Sequence, residues 1–68
     1  MVTALQELRI LLEYLVKHNQ DHATELMELA VRVKAQGHAG AYDQMARGVD
    51  LLNESNRSLQ AALAALEV

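Results

Sequence analysis

Apolar residues recur along this chain at steps of three and four, the spacing that keeps side chains on one stripe of an α-helix. The first stripe runs Leu5, Leu8, Leu12, Leu15, Asn19, His22, Leu26, Leu29 and Val33. It is aliphatic except at its middle, where Asn19 and His22 take adjacent positions and His18 and Glu25 lie on its flank. A second stripe runs Tyr42, Met45, Val49, Leu52, Asn56, Leu59, Leu63 and Leu66, interrupted by Asn56. No segment shows the alternation of β-branched residues that a strand requires.

The pattern predicts an all-α chain of one domain over 1–68, with a helix over 3–36, a turn over 37–40 and a helix over 41–67. Thr3 is placed to cap the first helix, with Gln6 three residues on as its capping-box partner. Gly37 is suited to the left-handed conformation that ends a helix, and Lys34 suits the negative end of the helix dipole. The segment Gly37, His38, Ala39 and Gly40 is short enough only for a tight reversal, so the two helices are expected to lie antiparallel.

Folding the chain about that turn pairs Val33 with Met45, Leu26 with Leu52 and Leu12 with Leu66. His22 then faces Asn56, with Asn19 one step along. The expected polar core layer is therefore Asn19, His22 and Asn56. Buried polar residues at such positions fix register and oligomeric state, because a misaligned packing leaves them without hydrogen-bond partners.

A two-helix hairpin has a core too small to sustain itself easily. The chain contains 68 residues and no cysteine, so neither a disulfide nor a thiolate metal site reinforces it. Leu11, Val16, Ala23 and Ala30 also widen the apolar face of helix 1, and Ala46, Ala62 and Ala65 that of helix 2. This width predicts a homodimer in which two hairpins form a four-helix bundle. Gly48 and the nearby alanines are expected to allow close helix approach.

Composition narrows the functional classes. The chain is 51% hydrophobic but 3% aromatic, with a net charge of -3, and its six basic residues are scattered rather than clustered, which argues against nucleic acid. No apolar run approaches the ~20 residues of a membrane span, and the first residues lack the basic-then-apolar order of a secretory signal, so a cytoplasmic protein is expected. No catalytic constellation is present: there is no phosphate-cradling glycine loop, nucleophile elbow or pair of catalytic carboxylates.

His18 and His22, four apart, share one helix face and could both reach one metal ion, with Glu25 a third ligand one turn on. Nitrogen and carboxylate donors of this kind suit zinc, nickel, copper or iron, with nickel or zinc the expected ion. The sequence His18-Asn19-x-x-His22-Ala23, followed by Glu25, the helix-ending Gly37 and a second Leu/Ala/Glu helix containing Asn56, resembles a helical hairpin found in certain small proteins. These are the nickel-binding proteins associated with carbon monoxide dehydrogenase maturation, in which the hairpin is a C-terminal extension. The small β-rich segment of those proteins has no counterpart here. The resemblance therefore implies only that His18, Asn19 and His22 act as a ligand or partner-recognition patch.

The expected function is a self-associating assembly or interaction module without catalytic activity that requires no cofactor. The alternatives are a metal-binding accessory protein using His18 and His22, and an adaptor whose apolar face receives a helix of another protein.

Overall fold

A computed structural model of the chain describes residues 3–66, in which helix α1 spans Ala4–Ala35 and helix α2 spans Ala39–Ala65. Both begin and end close to the expected positions. Glu67, expected as the last residue of helix 2, lies outside the described residues, as do the outer limits of the 1–68 domain.

Thr3 begins α1 with a complete capping box. Its hydroxyl accepts from the Gln6 backbone N–H at 3.1 Å, and the Gln6 side chain accepts from the Thr3 N–H at 2.8 Å, satisfying two donors that the first turn leaves free. The other end closes just as fully. Gly37 adopts φ +90°, its N–H donates to Lys34 O at 2.9 Å and the His38 N–H donates to Val33 O at 3.3 Å. These two bonds are the paired closure of a Schellman motif, which needs the left-handed residue that glycine supplies without steric cost.

The break is shorter than the sequence suggests, because Ala39 and Gly40 already belong to α2. His38 is the residue before that helix and is exposed, and its side chain makes no capping bond. Lys34 reaches across the reversal to place its ammonium 4.6 Å from the centre of the Tyr42 ring, closing the turn end of the hairpin.

The helices pack antiparallel as a single layer whose backbone extends 54 × 18 × 11 Å. The buried apolar residues are Val16, Ala23 and Ala30 from α1 and Val49 from α2. Val16, Ala23 and Ala30 recur every seven residues, the repeat that keeps one line of a helix against a partner. The second stripe is used as expected: Tyr42, Met45, Val49, Leu52, Asn56, Leu59, Leu63 and Leu66 are all buried or half-buried.

The first stripe is not used as expected. Leu12, Asn19 and Val33 face α2, but Leu5, Leu8, Leu15, His22, Leu26 and Leu29 are exposed. Helix α1 is turned so that the alanines, read from the sequence as a flank, form its contact line, and short side chains there let the helices approach closely. The leucine face is left open. Gly48 also departs from its expected role, since a Cβ built on it meets nothing within 4 Å and it mediates no close approach within the hairpin. Among the described residues no helix is long and apolar enough to cross a membrane.

Candidate functional site

Two groups of polar residues occupy the middle of the hairpin, on different faces of α1. The first is inside. Asn56, only 4% exposed, donates from Nδ2 to the Val16 carbonyl at 3.1 Å, and its Oδ1 accepts from Asn19 Nδ2 at 3.2 Å. The Asn56 amide therefore uses its donor and its acceptor at once, as a buried amide must. Asn19 and Asn56 form the polar layer that the sequence indicates.

His22 does not join that layer. The expected His22–Asn56 contact is replaced by Asn19–Asn56 because α1 has turned its alanine line toward α2, carrying His22 round to the solvent face. Burial of His22, implied by its stripe position, does not occur within the hairpin. Hydrophobic periodicity does not reveal this, because Leu8, Leu15, His22 and Leu29 recur at the same seven-residue spacing as Val16, Ala23 and Ala30.

The second group lies on the exposed face, where the two histidine rings converge. His18 Nε2 and His22 Nε2 are 2.8 Å apart, and the rings meet edge to face with centroids 4.2 Å apart. One turn earlier, Tyr14 stacks on His18 at 5.6 Å between centroids and 18° between planes. One turn later, Glu25 Oε2 stands 3.4 Å from His22 Nδ1. Tyr14, His18, His22 and Glu25 are thus a file along α1 in which a stacked ring and a carboxylate flank the imidazole pair.

This geometry revises the expected ligand set. Glu25 addresses Nδ1 of His22, on the opposite edge of the ring from the Nε2 that meets His18, so the three side chains do not point at one centre. Among the described residues no group of three or more His, Cys, Asp or Glu could hold a metal ion. A single chain offers two convergent nitrogen donors and a carboxylate behind one of them.

Beside the histidines, Lys17 Nζ bonds Asp21 Oδ1 at 2.8 Å on the surface. That hydrogen bond holds the Asp21 carboxyl below its ordinary pKa; desolvation opposes it, and the charges of Lys17, His18 and His22 act in the same sense as the hydrogen bond. Tyr42 is a half-buried packing residue under Lys34 rather than part of the histidine file, and His38 stands apart at the turn.

No curated protein and no solved structure matches the chain. A family model does match residues 8–66, which include α1 beyond its first turn, the reversal, all of α2, the asparagine layer and the histidine file. The chain belongs to the family described as Domain of unknown function (DUF8180).

Proposed function

We propose that this chain is a self-associating assembly module in which two hairpins pair through the open face of α1 to form a four-helix bundle, with no catalytic activity of its own. The observation that carries this reading is the unused half of the α1 stripe. Leu8, Leu11, Leu15, Leu26 and Leu29 are between 40% and 59% exposed, on a helix whose other face already meets α2. Scattered exposed leucines need no explanation, but a continuous line of them marks a contact surface.

The surface area supports the same reading. The chain exposes 5272 Å². A compact monomer of 7.5 kDa exposes about 4,200 Å². The excess, on the order of 1,000 Å², is comparable to the ~800 Å² that each partner buries in an interface of ordinary size. A single layer of helices has a broad face unsealed, and a second layer closes it.

The arrangement of that face favours a second copy as the occupant. Leu11 and Leu29, Leu15 and Leu26, and His18 and His22 are each placed symmetrically about Gln20 to within half a residue. Two α1 helices crossing antiparallel at Gln20 bring each residue of a pair opposite its counterpart, as the self-complementary patch of a two-fold dimer requires. Glu7 and Arg32, on the flank of the stripe, are related in nearly the same way and set opposite charges against each other across the dyad.

Sedimentation velocity of the untagged chain tests the reading. The expected result is a dimer that the double substitution Leu15→Glu, Leu26→Glu converts to a helical monomer. A parent chain that is monomeric at tens of micromolar would overturn self-association and leave the leucine face to a helix of another protein.

A further inference from the structure

We infer that the two copies of the His18 and His22 pair meet at the dyad of this dimer and form a four-imidazole site for a divalent transition-metal cation of the zinc class. This rests on the antiparallel self-association proposed above and adds a ligand to it. Within one chain the site is incomplete, and the second copy supplies its other half.

Three features of the pair carry the inference. The first is convergence: both rings present Nε2, at a separation of 2.8 Å. Two nitrogen ligands on a tetrahedral zinc, each ~2.05 Å from the metal, lie about 3.3 Å apart, so a rotation that opens the pair by about half an ångström makes a chelate. Both rings lie on the exposed face, with Tyr14, each other and the Glu25 carboxylate beside them, so a small rotation of the pair is open to them.

The second feature is the carboxylate behind His22. Metal-bound histidines commonly present their second nitrogen to a carboxylate, which fixes the ring orientation and keeps the coordinating nitrogen free of its proton. Glu25 Oε2, 3.4 Å from His22 Nδ1, stands in that place. With the His22 proton on Nδ1, its Nε2 carries a lone pair and accepts from His18 Nε2–H.

The third feature is position. His18 and His22 are the innermost pair of the series symmetric about Gln20, so a two-fold axis through the stripe passes between them. On such an axis four Nε2 atoms surround one point, while Leu15 and Leu26 of both copies border it and limit the access of water. Four neutral nitrogen donors in a tetrahedral arrangement suit zinc, and cobalt(II) is its spectroscopic substitute.

The test uses the full untagged chain, stripped with chelator, exchanged into chelator-free buffer and titrated with cobalt(II) chloride while absorption and native mass are recorded. The expected result is one cobalt per two chains with the intense visible bands of a tetrahedral ion. The bands should disappear in His18→Gln and in His22→Gln, both of which remain helical dimers. Glu25→Gln should keep the stoichiometry and weaken affinity by about tenfold to a hundredfold, since it removes only the backing carboxylate. With zinc at about a hundred times its own dissociation constant, the dimer should tighten about a hundredfold, because the ion binds the dimer and not the monomer. A dimer that takes up no metal, or one weakly coloured octahedral ion per chain, would overturn the four-imidazole site and leave self-association standing. A chain that stays monomeric with or without metal would overturn both.

Discussion

The two helices of this hairpin carry apolar stripes of similar length and regularity, but they use them differently. Every residue of the α2 stripe from Tyr42 to Leu66 is at least half-buried, whereas on α1 the leucines of the stripe stand largely in solvent and the contact line runs through Val16, Ala23 and Ala30. The difference shows that a stripe wider than one helix contact need not be buried symmetrically. An α-helix covered on one side by small residues and on the adjoining side by leucines offers two kinds of contact. The alanine line permits close approach within the chain, and the leucine line beside it stands exposed.

Crowding the inner line should produce the largest change. Ala30 is 0% exposed, so Ala30→Leu inserts three carbons into a closed contact and should destabilise the hairpin by ~1–3 kcal/mol. Chemical denaturation at fixed protein concentration measures this. Leu29→Ala, one residue away on the open face, should leave the dilute chain unchanged and lower the unfolding midpoint only at concentrations where the parent is dimeric. Equal losses in the two variants at all concentrations would erase the distinction between the faces.

A smaller effect of opposite sign is expected on α2. Gly48 lies within the helix with open space around its missing Cβ, so Gly48→Ala should stabilise the isolated hairpin by about 0.5–1 kcal/mol through helix propensity. A loss of dimer in this variant, seen by sedimentation, would place Gly48 at the contact between copies and extend the open face from α1 onto α2.

The smallest effect belongs to the surface pair beside the histidines. Because the folded state lowers the Asp21 pKa from its ordinary 3.8, the stabilisation from Lys17 is complete above 3.8 and is lost as pH falls through the lower folded value. Thermal melts should show a slight acid-side decline that Asp21→Asn removes. The pair is solvent-exposed, so the change should fall well below that of Ala30→Leu and shrink further in salt. A large effect would mean that this flank of α1 is covered by something.

Much of the fold can be read directly from the residues. The capping box at Thr3 and Gln6, the glycine closure at Gly37, the antiparallel reversal and the whole contact line of α2 are local consequences of residue type and spacing. Asn19 and Asn56 also stand out as polar residues in apolar stripes, and they meet. The part of the candidate site that fails to follow is His22. Its place in the stripe suggests a partner in Asn56, yet it turns outward to His18, and Glu25 takes the Nδ1 edge of its ring instead of joining a three-ligand set.

The reason lies in what periodicity encodes. Spacing along a helix fixes the angles between its own side chains, and so determines by itself that Leu8, Leu15, His22 and Leu29 share one side and Val16, Ala23 and Ala30 another. It leaves open how far the whole helix is rotated about its axis relative to a neighbour. Only the tertiary structure decided that rotation, because it depends on which line permits the closest approach of two backbones and on where the buried Asn56 amide finds both a donor and an acceptor. Those two conditions are met together when the alanines and Asn19 face inward, and that same rotation leaves the leucines and paired histidines of α1 on the open face.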